Sequence, residues 1–266
     1  MLGHSPQSAS QYVDALAANG RYHFTTEQAV AALGGSLPAV RAALRRLKAK
    51  HLVADPHRGF HVIVPAEYRR LDCLPAEQFI PQLMDHLREP YYVALLSAAE
   101  LHGAAHQRPQ GFQVMLKTNR RPIECGHVRV QFVARKDLKR TPLVERRTPR
   151  GMLWVASAEA TALELVGYSD QCGGLDNVAS VITELAETLE GPKLLAAARL
   201  CPIAWVQRLG HLLDLTGHRH LSDGLVVYVT GHARVVAPLV RAKSTAGAER
   251  IDRWRLAVNA SVEVDP

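Results

Sequence analysis

One stretch of the sequence carries many cations and no carboxylate. SLPAVRAALRRLKAKHLV, residues 36–53, has six basic residues when histidine is included. Apolar residues recur in it at helical spacing from Val40 to Leu47, which predicts one face packed on a core. An ordinary solvated face would interleave Glu with Lys, because like charges on one face repel each other. Two interpretations follow, an ordinary solvated helix face and a surface that neutralises a polyanion, and the neighbouring segments favour the second. The basic residues repeat one position after the apolar ones, at Arg41, Arg45 and Lys48.

No comparable set of residues indicates catalysis. The segment QVMLK, residues 113–117, resembles the lysine-ended strand of some metal-dependent nucleases, but Met115 and Leu116 stand where magnesium would need acidic ligands. His102 and His106 lie four apart without the adjacent glutamate of a zinc protease. We therefore predict that the protein is not an enzyme and has no catalytic residues, metal site or cofactor.

The segments around the basic stretch predict a winged helix-turn-helix. SASQYVDALAANG is typical of a helix that ends at an Asn-Gly stop. In TTEQAVAALGG, Thr25 and Gln28 have the spacing of a capping box. Ser36 can cap the basic helix that follows, and LVADPHRGFHVIV predicts a hairpin, the wing, with Arg58 at its tip.

In such a domain the second helix of the turn enters the major groove of DNA. Arg41 is placed to read a base, since a guanidinium can bond two acceptors of one guanine. Ser36 and Ala39 can also approach the groove, and the more C-terminal cations are placed to neutralise phosphates. The candidate DNA contacts are Ser36, Ala39, Arg41, Arg45, Arg46, Lys48, Lys50 and Arg58.

A second basic region lies between residues 108 and 150, with twelve Lys or Arg against three acids. One interpretation is a solubilising surface on a strand-rich segment, although such a surface normally carries both signs of charge. We favour an additional phosphate-binding face. Its candidate DNA contacts are Lys117, Arg120, Arg121, Arg135, Lys136, Lys139 and Arg140.

Composition limits the class of protein. The chain has 266 residues, 47% of them hydrophobic, which suffices for one large domain or two ordinary ones. Its net charge of +7 favours an anionic partner. No apolar run has the length of a membrane span, and MLGHSPQSAS lacks the features of a signal peptide. The four cysteines form no CxxC pair, so we predict reduced thiols in a cytoplasmic protein that does not contact a membrane.

Strands followed by a helical cluster predict an α+β fold, in which a mixed α/β domain follows the winged helix. We place the DNA-binding domain at 1–70 and the second domain at 71–266. The second domain is predicted to have strands near 111–156 and 225–264 and helices within 157–216. In detail, YYVALLSAAELHG is predicted to be a helix, and GLVVYVT a strand.

Several segments, taken in order, resemble one family. After the N-terminal unit come YYVALLSAAELHGAAHQRP, FQVML, WVASAEATALELV, WVQRLGHLLDLTG and RWRLAVN. Together they resemble the AbiEi-type antitoxins of bacterial abortive-infection toxin–antitoxin systems, whose members also regulate transcription of their own operons. The resemblance implies an N-terminal DNA-binding domain and a C-terminal antitoxin domain. It also implies repression through inverted repeats in double-stranded operator DNA upstream of a nucleotidyltransferase toxin gene.

Three hypotheses follow. The first is a DNA-binding repressor that is also the antitoxin of its operon. The second is a protein-binding antitoxin that neutralises the cognate nucleotidyltransferase toxin by direct contact, with DNA binding secondary. The third is an enzyme acting on nucleic acid. The resemblance leaves open whether the toxin is contacted directly.

Overall fold

The computed structural model describes residues 8–104 and 110–263, so His106 lies outside the described part of the chain. Its elements confirm a mixed α+β protein. By internal packing the chain divides into two compact units. The first comprises 8–91, 110–136 and 145–153. The second comprises 92–104, 137–144 and 154–263. The boundary predicted at residue 70, between the DNA-binding domain and the second domain, stays a prediction.

The helices and strands of the first hundred residues are α1 (Ala9–Ala18), β1 (His23–Thr25), α2 (Thr26–Leu33), α3 (Leu37–Ala49), β2 (Val53–His57), β3 (Phe60–Ile63), α4 (Ile80–Leu87), β4 (Tyr91–Val93) and α5 (Leu95–Leu101). The later ones are β5 (Phe112–Leu116), β6 (Ile123–Cys125), β7 (Val128–Ala134), β8 (Leu143–Thr148), β9 (Gly151–Ala156), α6 (Ala158–Gly167), α7 (Leu175–Leu185), α8 (Gly191–Ala198), α9 (Ile203–Leu215), α10 (Arg219–His232), β10 (Ala237–Pro238), β11 (Glu249–Ile251) and β12 (Leu256–Val258).

The first unit begins with the three helices that the sequence predicts. Thr25 and Gln28 form the expected capping box at the start of α2. Gly34 and Gly35 both have positive φ, 67° and 80°, in the turn between α2 and α3. A Cβ at either position would meet no atom within 4 Å, so the turn needs glycine for its backbone conformation rather than for space.

One apolar core joins these helices to a small sheet. β3 lies between β1 and β2 and pairs antiparallel with both. Tyr12 of α1 contacts Phe24 of β1 edge-to-face, with the ring centroids 5.5 Å apart. The apolar face of α3 completes the core, because Val40, Leu44 and Leu47 are buried there. The hairpin predicted around DPHRG is confirmed as β2 and β3.

The remainder of the first unit contains α4, the paired strands β5, β6 and β7, and parts of β8 and β9. β5 and β7 run parallel, with Leu116 opposite Ala134, and β6 pairs antiparallel with β7. β6 packs beside β2, so the second basic region approaches the hairpin within this unit. The segment NRRPIECG resembles a turn in sequence, because it contains proline and glycine. The strand β6 nevertheless forms within it.

The second unit is mainly helical. α6 is buried on every side and packs against α5, α7, α8 and α9. Ser157 caps it by accepting a hydrogen bond from the Ala160 N–H at 3.2 Å, as its position before the helix predicts. A small sheet near the C-terminal end has β12 at its centre, parallel to β10 and antiparallel to β11.

The prediction of a strand at GLVVYVT, residues 224–230, is wrong, because these residues belong to α10. The buried Leu221, Leu225 and Val229 are spaced by four, whereas Val227 between them is 75% exposed. The helical spacing of the buried residues over the longer stretch therefore determines the structure. A short apolar run by itself does not distinguish a helix from a strand. In the described residues from 225 to 263, the strands are β10, β11 and β12.

The prediction of one helix over YYVALLSAAELHG is also partly wrong. Tyr91–Val93 forms the buried strand β4, with Val93 paired in parallel with Val155 of β9. β-Branched and aromatic side chains favour such a strand. Leu95, the first residue of α5, has a positive φ of 54°. The backbone therefore changes direction between the end of β4 and the helix.

Within the described residues, no helix combines the length and apolar character that crossing a bilayer requires.

Candidate nucleic-acid interface

α3 presents its cations because its two faces differ sharply. Ser36 begins the helix by accepting a hydrogen bond from the Ala39 N–H at 3.4 Å, and Pro38 occupies the first turn. The apolar face is held in the core, so the opposite face must point away from it. Exposed on α3 or at its ends are Ser36, Ala39, Arg41, Arg45, Arg46, Lys48 and Lys50.

Most of these cations have no acidic partner. Across residues 8–104 and 110–263, no ion pair involves Arg41, Arg45, Arg46 or Lys50. Arg46 and Lys48 lie in the last turn of α3, where a cation is also favourable beside the helix carbonyls. That effect does not account for Arg41 and Arg45, which precede the last turn.

Lys48 is the exception, and its partner was not anticipated from the sequence. Its Nζ donates to Oδ2 of Asp55 on β2 at 3.0 Å. The other carboxylate oxygen of Asp55 lies 2.7 Å from Nδ1 of His61, and Nε2 of that ring lies 2.8 Å from the Thr26 hydroxyl. One chain of polar contacts thus connects α3, β2, β3 and α2.

This chain of contacts sets the charge of Asp55. Burial by itself would raise the pKa of the carboxyl, but hydrogen bonds from His61 and Lys48 outweigh it and hold the pKa below its ordinary value. Asp55 is therefore anionic at neutral pH. It places one negative charge beside an otherwise cationic helix face.

A groove of about 920 Å³ lies between α2, α3 and the β2–β3 hairpin. Three exposed cations line it, Arg41 and Arg45 from the helix and Arg58 from the turn of the hairpin. Glu27 and Asp55 line the same groove, so it carries both signs of charge. Its positive edge is formed by α3 and the hairpin turn.

The second basic region is more extensively neutralised within the chain. Arg120 pairs with Glu89 at 2.5 Å, Arg129 lies 3.7 Å from Glu124, and Arg140 lies 3.2 Å from Asp137. Exposed members without an ion pair in the described part of the chain are Lys117, Arg121, Lys136, Lys139, Arg146 and Arg147.

The structure brings some of these residues together and separates others. Because β5 and β7 are parallel, Lys117 and Arg135–Lys136 follow neighbouring strands at their carboxyl ends. The Arg135 N–H donates to the Leu116 carbonyl at 2.8 Å, which fixes this register. Lys139 and Arg140 belong to the second unit, whereas α3 belongs to the first.

Arg150, the last cation of the second basic region, is held by contacts with other side chains of the first unit. Its side chain is 12% exposed, and its guanidinium carbon lies 3.4 Å from the centroid of the Tyr22 ring. Its Nε donates to Oε1 of Gln78 at 2.6 Å, and its carbonyl accepts from Nε2 of Gln82 at 2.6 Å. These contacts hold three segments of the first unit together.

Within the described residues, no group of three or more His, Cys, Asp or Glu side chains is arranged to hold a metal ion. The arrangement around α3 is instead that of a cationic surface with a groove beside it. Chemically it can bind phosphates and present guanidinium donors, and it contains no cluster suited to metal-assisted hydrolysis.

Comparisons with known proteins extend beyond this surface to the rest of the chain. Residues 92–215 match the family described as AbiEi antitoxin C-terminal domain. The crystal structure of the RV2827C protein from Mycobacterium tuberculosis is similar, with a TM-score of 0.67 and 18% sequence identity. That similarity covers 95% of this chain and 92% of the other, and at this identity it concerns the fold alone. No curated protein matches the chain.

Proposed function

We propose, from the premise that residues 92–215 belong to the AbiEi antitoxin C-terminal domain family, that this antitoxin is also a sequence-specific DNA-binding repressor of its own operon. The antitoxin role follows from the family match. The toxin it counters is proposed to be a nucleotidyltransferase encoded in the same operon, and its operator to be double-stranded DNA with inverted repeats.

The exposed face of α3 is the observation that supports DNA binding. Four of its cations lack acidic partners in the described structure, although opposite charges at i,i+4 would stabilise an exposed helix. DNA carries a dense row of phosphates, which supplies the missing counter-charges. A surface kept cationic at some cost to the helix is therefore explained by a polyanionic partner.

In the proposed complex, the elements α1 to β3 act as a winged helix-turn-helix. α3 enters the major groove, where Arg41 near its N-terminal end contacts guanine O6 and N7. Arg45, Arg46 and Lys50 neutralise phosphates along the groove. Arg58, on the hairpin that serves as the wing, reaches a phosphate or the adjacent minor groove.

Equilibrium binding to the upstream region of the protein's own operon tests this function. Fluorescence anisotropy should show binding roughly 10³-fold tighter to that duplex than to a shuffled duplex of equal length. The logarithm of the binding constant should fall linearly with the logarithm of the salt concentration. Equal affinity for both duplexes would exclude sequence-specific repression while leaving the antitoxin role intact.

A protein-binding antitoxin is the second candidate, and the surface of the second unit favours it. Leu143, Val144 and Trp154 are 36%, 39% and 43% exposed, and Val227 and Val235 more so. Exposed tryptophan and aliphatic side chains are typical of protein contact sites. In this alternative, the second unit binds the toxin directly and DNA binding is secondary.

Co-expression with the neighbouring nucleotidyltransferase gene distinguishes the two candidates. A stable complex that survives purification and is weakened by Trp154→Ser supports direct neutralisation. Rescue of growth without co-purification supports an indirect antitoxin mechanism. Toxicity that persists despite full expression of the antitoxin would contradict the proposed pairing with this toxin.

A further inference from the structure

Two buried thiols meet in the first unit, behind the hairpin that carries Asp55. Cys73 is fully buried and Cys125, at the end of β6, is 6% exposed. The two sulfurs lie close enough for each to shift the pKa of the other. Both cysteines are in the free thiol state.

The backbones around the two thiols are also in direct contact. The His127 N–H donates to the Leu71 carbonyl at 2.8 Å. A Cβ on Gly126 would lie 2.2 Å from that same carbonyl oxygen and 2.7 Å from the Asp72 Cβ. Only glycine allows this approach, so the segments that hold Cys73 and Cys125 pack without an intervening side chain. A disulfide requires two closely packed backbone segments, because the Cα atoms of the cysteines that it links lie about 4.4–6.8 Å apart.

The two sulfurs are chemically unequal. Interaction with Cys73 lowers the pKa of the Cys125 thiol, and burial opposes this. Interaction with Cys125 and burial raise the pKa of the Cys73 thiol. Cys125 is also the less buried sulfur, so we assign it as the one that reacts first and Cys73 as the one that resolves the product.

We propose that Cys73 and Cys125 form a redox-modification site that closes to an intramolecular disulfide when the protein meets a peroxide. The Cys125 thiolate attacks a peroxide oxygen, the O–O bond breaks, and hydroxide leaves and takes a proton to become water. The resulting sulfenic acid is attacked by the sulfur of Cys73, which loses its proton as a second water departs. Two thiols are oxidised by two electrons, and one hydrogen peroxide is reduced to two waters.

The other cysteines provide internal comparisons. Burial, with the charge of Glu164, raises the pKa of Cys172 to about 12, so this thiol is not suited to the first attack on a peroxide. Cys201 is more exposed, and its S–H donates to the Ala198 carbonyl at 3.3 Å. In the described part of the chain, no third soft ligand joins Cys73 and Cys125 to form a metal site.

Hydrogen peroxide treatment of the full chain, followed by alkylation and non-reducing peptide mapping, tests the site. We expect the peptides of Cys73 and Cys125 to be linked, and a thiol reductant to restore both. Cys172 and Cys201 should be alkylated as free thiols to the same extent before and after treatment. Free Cys73 and Cys125 after oxidation, or linkage of either to Cys201, would overturn the proposal.

Single variants test the assigned order of attack. Cys73→Ser should leave a sulfenic acid on Cys125 that a cyclic 1,3-diketone traps, whereas Cys125→Ser should show much less trapping on Cys73. Cys201→Ser is the matched control and should form the disulfide at the parental rate. Equal trapping in both single variants would overturn the assignment of Cys125 as nucleophile. If either variant fails to fold, as judged by circular dichroism, the mapping of the parent protein decides the proposal.

Discussion

The cationic face of α3 and the second basic region carry the same sign of charge in different surroundings. Arg41 and Arg45 on α3 are exposed and have no ion pair among the described residues. In the second basic region, Arg120 and Arg140 are paired with carboxylates, and Arg150 is nearly buried against Tyr22. The number of cations in a segment therefore does not measure how many are available to a partner. Availability depends on which acids and rings the fold places beside them.

The largest effect that we expect concerns stability. Arg150→Ala removes a cation–π contact and a charged hydrogen bond and leaves Oε1 of Gln78 without this donor. Unfolding free energy should fall by roughly 2–4 kcal/mol. Denaturant unfolding measures this loss, and DNA affinity of the folded fraction should stay unchanged. An unaltered unfolding midpoint would show that Arg150 is not a structural cation.

Arg41→Ala should weaken binding to the operator by about 1–3 kcal/mol and relax preference at one base pair. The cause is the loss of bidentate guanine recognition, with little change in stability because the side chain is exposed. Anisotropy titrations against single-base operator variants measure both effects. Arg129→Ala is the matched control, since this exposed arginine lies 3.7 Å from Glu124. If the control weakens binding as much as Arg41→Ala, the distinction between the regions fails.

Asp55→Asn should tighten DNA binding by roughly 0.5–1 kcal/mol, because it removes a negative charge from the groove and releases Lys48 for phosphate contact. The salt dependence should become steeper by about one unit. Weaker binding in this variant would indicate that Asp55 positions α3 for DNA rather than opposing it.

The same substitution has a pH signature. Hydrogen bonds hold the folded-state pKa of Asp55 below its ordinary value, which is about 4. The carboxylate therefore stabilises the protein above that pH, and the contribution is lost as the pH falls through the folded-state pKa. In Asp55→Asn, the part of the acid dependence of the unfolding free energy that comes from this carboxyl should be absent. Urea unfolding between roughly pH 3 and pH 6 compares the two proteins.

The smallest effect is expected for Arg140→Ala. This residue pairs with Asp137 at the surface, and exposed pairs contribute little. Both stability and DNA affinity should change by less than about 0.5 kcal/mol. A loss comparable to that of Arg41→Ala would place Arg140 in the DNA interface and extend the footprint to the second unit.

Local rules predicted the N-terminal elements well. The capping box at Thr25, the Gly34–Gly35 turn and the cap at Ser36 all depend on residues within four positions of each other. The same holds for Ser157 before α6. Such short-range geometry is encoded in neighbouring residues, so pattern reading identifies it.

Predictions failed where partners distant in sequence decide the structure. β4 forms because Val93 meets Val155 of β9, more than sixty positions later in the chain. The segment 224–230 became part of α10 because its apolar residues pack by fours rather than by twos. The counter-charge on Lys48 comes from Asp55, beyond the helix that the sequence pattern describes. The residues adjacent in sequence do not distinguish these outcomes from the predicted ones.

By itself, the sequence determined that α3 exists, that one of its faces is apolar and that the other is cationic, because helical periodicity places side chains by their spacing alone. It also pointed to the antitoxin family. Only the tertiary structure decided which cations remain available, that Asp55 opposes one of them, and that Cys73 meets Cys125. Charge neutralisation and thiol pairing act across space, and spatial neighbours are set by packing rather than by position along the chain.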